Sequence, residues 1–293
     1  MVASFFLPMK SIFPLIVLFL MAACASQEKK KVDNTERIVC LAKQYNEIIY
    51  ALHAEKDLVG VDLSSVFPSQ INKLPKVGYH RALSSEAILS VNPTLIIHDD
   101  NIGPDHVVSQ LEKMKIPMKV FQAKSKDIIT TKKLMCEMGA YFHKEKEAKI
   151  LAQNFENELK EVIQSSTKYT DKPSVLIIHF GQAKNHYLLV TQKSTAAKMI
   201  DWAGGKLSVT GEKGMRVLSA EAIALANPDV ILMTDFGFDR LGSLDKIKTL
   251  PGLAETKAAK SNRIYRVNEC DIMYLGPRTG KNTLKIQHLI HGN

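Results

Sequence analysis

Cysteine is scarce, four residues in 293, and this excludes a disulfide-stapled scaffold. Aromatic residues make up 7% with a single Trp. No Lys/Arg run is interleaved with them, so the stacking platform of a nucleic-acid binder is missing. Glycine (15) and proline (11) stand at ordinary levels, which excludes collagen and low-complexity chains. Only the extreme N-terminus is continuously apolar, so a polytopic membrane protein is excluded. The signatures G-x-S-x-G, H-E-x-x-H and G-x-x-x-x-G-K-[ST] do not occur. His98-Asp99-Asp100 comes nearest to a catalytic cluster. It follows a buried strand with no nucleophile alongside, and a place on a cleft rim accounts for it better. What is present is 45% apolar and 24% charged with a formal net charge of +9. That is enough for one large domain or two moderate ones, with a bias toward anionic ligands or surfaces.

Lys10, then the apolar stretch Ile12–Met21, then Ala22, Ala23 and Cys24 read as an export signal over residues 1–23. The stretch is too short for a comfortable membrane span, which needs about 20 residues. Met21-Ala22-Ala23-Cys24 resembles the bacterial lipobox, whose Cys carries the lipid of the mature chain. Met21 stands where Leu is preferred, and a plain cleaved signal is the alternative. Residues 24–36, including Ser26-Gln27-Glu28-Lys29-Lys30-Lys31, read as a polar tether to the membrane. The expected location is the periplasm or cell surface, anchored through Cys24. Cys40, Cys136 and Cys270 sit at no metal-ligand spacing and are expected to be buried structural thiols.

Short apolar runs alternate with amphipathic stretches, the pattern of an α/β chain. Strands are expected at Arg37–Leu41, Leu58–Asp62, Thr94–His98 and Met118–Phe121, with helices near Tyr45–His53, Ser85–Val91, Asp105–Lys115 and Asp127–Phe142. A second series has strands at Ser174–His179, Tyr187–Val190, Asp229–Thr234 and Arg263–Val267. Its helices fall near Thr195–Ala203, Ala220–Ala226 and Thr279–His291. Between the series, Lys144–Ser166 lacks Gly and Pro and keeps helical apolar spacing, ending before Pro173. Residues 37–142 and 173–293 are thus expected as two lobes, with a linking helix over 143–168. An internal repeat supports the division: Arg81–Ile97 aligns without gaps to Arg216–Leu232, with roughly half the positions identical. Each copy reads as a Ser cap, a short helix with Glu86 or Glu221 in its first turn, an Asn-Pro break and a buried strand.

The chain resembles the substrate-binding proteins of bacterial haem-type ABC importers, within the wider group that carries siderophores and corrinoids. The resemblance rests on Val77-Gly78-Tyr79-His80-Arg81-Ala82-Leu83-Ser84, similar to a V-G-Y-x-R-x-L-S segment. Leu58–Asp62, Gly103-Pro104, Ala203-Gly204-Gly205, Leu250-Pro251-Gly252-Leu253 and Gly276-Pro277-Arg278-Thr279 add to it. It implies an α/β fold of two Rossmann-like lobes joined by one long α-helix, with the ligand cleft between them. It also implies haem as transported ligand, no catalytic cofactor, and an ABC permease with its ATPase as partner. Tyr79 would be the axial ligand of the haem iron, with Arg81 hydrogen bonding to the phenolic oxygen. Fe(III) is a hard acid and Tyr an established haem ligand, so the chemistry is sound. His80 departs from the family pattern and is expected to be exposed, an alternative iron donor being the other reading. His179 and His186 are the candidates for a second axial ligand from the C-terminal lobe. Tyr274 and Arg278 lie where porphyrin or propionate would be met. Glu86 and Glu221 complement helix dipoles, and the resemblance adds docking onto the permease, one Glu per lobe.

Three other functions were open at this level. A corrinoid or ferric-siderophore binder shares the fold without requiring the Tyr79/Arg81 pair. A Zn or Mn carrier would need converging His, Asp and Glu, whereas the nine histidines are scattered. An enzyme would need a catalytic signature.

Overall fold

The computed structural model describes Met1 and residues 36–182 and 185–292. The first half runs β1 (Ile38–Cys40), α1 (Lys43–Ala51), β2 (Leu58–Val61), β3 (Gly78–Tyr79), β4 (Ala82–Leu83), α2 (Ser85–Leu89), β5 (Leu95–His98), α3 (Asp105–Lys113), β6 (Met118–Val120) and α4 (Ile128–Tyr141). The linking helix α5 is Glu145–Ser166. The second half runs β7 (Ser174–Gly181), β8 (His186–Val190), α6 (Thr195–Trp202), β9 (Lys206–Leu207), β10 (Met215–Val217), α7 (Ala220–Ala226), β11 (Val230–Thr234), α8 (Asp235–Leu241), α9 (Leu244–Lys248), α10 (Lys257–Lys260), β12 (Ile264–Val267), α11 (Glu269–Ile272) and α12 (Thr279–His291).

The first sheet is parallel in the order β2-β1-β5-β6. The second has the order β10-β8-β7-β11-β12, with β9 beside β7. There β7, β11 and β12 are parallel, while β8 runs antiparallel to both of its neighbours, β7 and β10. Side chains alternate across each sheet. Ile38 and Cys40 face one core with α1, α4 and α5, while Val39 and Leu41 face another with α2 and α3. The second sheet repeats the arrangement. Val175 and Ile177 pack toward α6 and α12, and Leu176 and Ile178 toward α7, α9 and α10. Both sheets are therefore covered on both faces, as parallel sheets require. The two-lobed α/β architecture expected from the repeat is the architecture found.

Both copies of the repeat fold alike. Ser84 Oγ accepts from the Ala87 N–H and Ser219 Oγ from the Ala222 N–H. Asn92 and Asn227 then take left-handed backbone, φ 48° and 32°, a conformation Asn tolerates and one that stops each helix before its Pro.

Several short elements escaped periodicity. The hairpin β3–β4, the edge strands β9 and β10, and helices α8 to α11 are each too short to show a repeat of hydrophobicity. Helix α1 begins at Lys43 rather than Tyr45, and ends at Ala51 with His53 in left-handed backbone. The cysteine expectation needs correction. Cys40 is buried, but Cys270 is only half-buried and Cys136 is exposed on α4, and all three are free.

Helices α4 and α5 cross closely at Gly139, where a Cβ would collide with that of Ala148. Gly139→Ala should therefore lower the unfolding free energy by about 1–3 kcal/mol through overpacking. The loss should appear as a lower urea midpoint with unchanged slope, and Ala148→Gly in the same chain should restore it. An unchanged midpoint would show that this crossing has slack.

Candidate functional site

Tyr79 is placed by a hairpin that the surrounding loops fasten from three sides. Gly78 has φ +109°, a conformation suited to glycine, and pairs with Leu83, while Tyr79 pairs with Ala82. The Leu63 N–H donates to the Gly78 carbonyl (2.8 Å), the Leu83 N–H to Gly103 (2.9 Å), and the Gly103 N–H to His80 (2.9 Å). The phenol is thus fixed on short backbone, half-buried, with its ring centroid 4.4 Å from that of His80.

His80 is buried, which corrects the expectation that it would be exposed. Its Nδ1 lies 3.4 Å from Asp62 Oδ2, and its Nε2 is 3.5 Å from Asn101 Nδ2. Asp62 is fully buried and also accepts from the Ser64 N–H (3.0 Å) and the Ser64 and Ser65 hydroxyls. Burial pushes the Asp62 carboxyl up, but bonds from His80, Ser64 and Ser65 outweigh it and hold the group below the usual range. His80 is therefore spent on holding the Tyr79 hairpin to the Asp62 loop.

Tyr79 borders a cavity of about 270 Å³ between the lobes. Lys43, Leu63, Ser64 and Val66 line it from the first lobe, and Gln182, Asp235, Phe236, Glu269 and Cys270 from the second. Across it Lys43 Nζ meets Glu269 Oε1 at 2.5 Å, with 5% and 18% of the two side chains exposed. Lys43 Nζ also lies 4.3 Å from the centre of the Tyr274 ring. Burial disfavours the Lys43 charge, but Tyr274 and Glu269 outweigh it and keep the amine protonated. Burial raises the Glu269 carboxyl, and Lys43 and His179 together bring it below its ordinary value. Burial and then Glu269 raise the Tyr79 phenol, against the pull of Lys43 and Arg81. Burial pushes the Cys270 thiol up to about 12, and its Sγ sits 3.7 Å from the Ser64 carbonyl across the lobe boundary.

The remaining expected residues fall in different places. Arg81 is exposed, and among the described residues no hydrogen bond joins it to the Tyr79 oxygen; it acts on the phenol only through its charge. His179 does not line the cavity. Its Nδ1 is 3.2 Å from Thr234 Oγ1, and burial holds it below the ordinary imidazole value against the opposing charge of Glu269. His186 opens β8 opposite Gly181 and does not line the cavity either. Tyr274 is half-buried against Lys43. Arg278 was expected to meet propionate, and its partners correct this. Its guanidinium holds Glu47 in two bonds (3.0 and 2.6 Å) and Asp271 at 2.5 Å, and it covers the Phe67 ring at 3.8 Å. It ties α1 to the start of α12, and these partners rather than a ligand occupy most of its guanidinium. A larger cavity of about 680 Å³ runs along α1 and α5 past Glu47 and Arg278, but does not include Tyr79.

His98 is buried, its Nδ1 accepting from the Asp100 N–H at 3.2 Å. Asp99 takes a bond from Gln44 (2.6 Å) and Asp100 one from Lys124 (2.7 Å). The cluster serves loop structure. Among the described residues no group of three or more His, Cys, Asp or Glu is set to hold a metal ion. Glu86 and Glu221 are exposed in the first turns of α2 and α7. Cys24, the signal and the tether lie outside the described residues. Among those described, no helix is long and apolar enough to cross a membrane. Reasoning from sequence missed Lys43, Asp62 and Glu269. The one available signal was Lys43-Gln44, two polar residues that follow the buried run Ile38–Ala42.

Two α/β lobes, one linking helix and a site between the sheets define a substrate-binding protein. The chain belongs to the periplasmic binding protein family, whose pattern matches residues 38–269. It is 26% identical to an uncharacterised ABC transporter substrate-binding lipoprotein, YvrC, of Bacillus subtilis, over 83% of this chain and 76% of that one. It is 24% identical to a vitamin B12-binding protein of Pectobacterium atrosepticum, over 83% and 84% of the two chains. Among solved structures, the periplasmic heme-binding protein RhuT from Roseiflexus sp. RS-1 in apo form superposes with a TM-score of 0.81. That match has 29% identity and covers 88% of this chain and 98% of the other.

Asp62 carries the acid sensitivity of the site. Its folded carboxyl lies below the ordinary value near 4, so its stabilisation is present above that range and is lost as pH falls through the lower folded value. Asp62→Asn should cost about 1.5–3 kcal/mol at pH 7, and the gap to the parent chain should narrow as pH falls below the ordinary carboxylate value near 4. A gap that stays constant from pH 7 to 3 would show that the carboxylate charge contributes nothing.

Proposed function

We propose that this protein captures haem in the interlobe cleft and delivers it to an ABC permease. The observation that carries the reading is the Tyr79 phenol, held by a braced hairpin at the edge of a cavity with apolar walls on both sides. Leu63 and Val66 on one lobe are 53% and 52% exposed, and Phe236 on the other is 44% exposed. Large apolar side chains left open on both sides of one cleft fit a flat apolar ligand. A phenolate oxygen fits Fe(III). The likeness to the heme-binding RhuT supports the same reading. In this role Tyr79 binds the iron and Leu63, Val66 and Phe236 cover the porphyrin faces. His179 and His186 stand as the two histidine candidates for the other axial position, though neither lines the cavity. The cavity of about 270 Å³ is smaller than the roughly 300–1,000 Å³ of sites for drug-sized ligands, so admitting a porphyrin requires the side chains that cross the cleft to move aside.

The release side of the cycle rests on the exterior. Glu86 and Glu221 are exposed at equivalent places in the two copies of the repeat, which suits two-point docking onto basic pockets of a permease. Lipidation at Cys24 would keep the protein at the membrane beside that partner, in keeping with the YvrC lipoprotein. A corrinoid ligand is the second reading, favoured by the vitamin B12-binding relative; such a ligand does not require a phenolate at Tyr79.

Hemin titrated into residues 33–293 and followed by absorbance separates the two. Saturable binding with a ferric-phenolate band, lost in Tyr79→Ala, is the expected outcome. Binding of cyanocobalamin but not hemin would establish the second reading instead.

A further inference from the structure

The least favourable placement of charge in the cleft is Lys43. It is the first residue of α1, where the helix dipole repels a cation, and the N-cap residue Ala42 supplies no side-chain cap. Its side chain is 5% exposed. A buried lysine at a helix N-terminus costs stability twice, and a polar or apolar residue would serve the fold better. Within the cavity its one anionic partner is Glu269, contributed by the opposite lobe at 2.5 Å. The amine, that carboxylate and Tyr79 border one and the same cavity.

We propose that Lys43 is the carboxylate receptor of the cleft and that Glu269 holds its place while the cleft is empty, the amine passing from Glu269 to a carboxylate of the ligand when the ligand binds. This deepens the haem reading and rests on it. A porphyrin that bears acid side chains supplies both groups the cavity asks for, a metal for Tyr79 and a carboxylate for Lys43. A neutral amide-bearing macrocycle supplies only the first. The exchange swaps one buried anion for another, so Lys43 stays paired at each stage.

The test titrates the full chain, in mild detergent, with hemin and with hemin dimethyl ester, whose acid groups are blocked. The parent chain should bind hemin more tightly than the diester. Lys43→Gln should weaken hemin binding by roughly 10- to 100-fold, the value of one charge-assisted hydrogen bond, and leave diester binding unchanged. Glu269→Gln should do the opposite. It removes the competitor and leaves Lys43 in need of an anion, so hemin binding should tighten by roughly 10-fold. A gain of affinity cannot come from a damaged fold, which keeps the test open if Lys43→Gln folds poorly. Equal binding of hemin and diester by the parent chain overturns the exchange and leaves the haem reading standing. So does an equal loss of both ligands in Lys43→Gln, or unchanged hemin binding in Glu269→Gln. Failure of the parent chain to bind either overturns both.

Discussion

Helix α5 sets the distance between the lobes, and the cleft depends on that distance. Its early turns bury Ala148, Ala152, Phe155 and Leu159 in the first lobe's core. Its last turns reach the second lobe, where Gln287 of α12 donates to the Val162 carbonyl (3.3 Å) and accepts from Ser165 (2.9 Å). One continuous helix of 22 residues with both ends packed cannot bend without losing intrahelical bonds or core contacts. Both lobes thereby keep their facing edges in register, and what opens or closes the cleft is left to the side chains that cross it.

Those crossings are charged. Lys43–Glu269 lies inside the cavity, and Arg278 ties Glu47 of α1 to Asp271 of α11 beside it. Two nearby pairs thus have different surroundings and different work. The Arg278 pair is bidentate and braced on Phe67, and is suited to permanence. The Lys43 pair is a single bond from a flexible stem at the edge of the ligand space, and is suited to exchange. On the outside, Glu86 and Glu221 repeat one geometry on both lobes, each in the first turn of a Ser-capped helix. The molecule therefore presents a rigid frame, a changeable interior and a matched pair of exterior acids.

Much of this frame was legible from the chain. The strand sites followed from short apolar runs, α5 from a long stretch without Gly or Pro, and the two-lobe plan from the repeated Ser-helix-Asn-Pro unit. Asn92 and Asn227 show why the repeat was reliable: a local rule about left-handed backbone acts twice in the same way. The site was harder. Tyr79 was found through the V-G-Y-x-R resemblance, but its neighbours were not. Asp62 and His80 are 18 residues apart, and Arg278 and Glu47 are separated by 231. No periodicity reports such partners. His80 and Arg278 were misplaced for that reason, because a polar side chain read alone looks free until the fold supplies its counter-ion. Lys43 was passed over because an isolated lysine ahead of a helix looks like surface, and only the second lobe buries it.

The central claim is that Tyr79 holds the iron of a haem lying between the lobes. A crystal structure of the protein grown with hemin tests it most directly. The account predicts the porphyrin in the cleft against Leu63, Val66 and Phe236, with the Tyr79 oxygen bound to iron. Hemin seated in the larger cavity along α1 and α5, or held in the cleft with Tyr79 turned away from the iron, would contradict it.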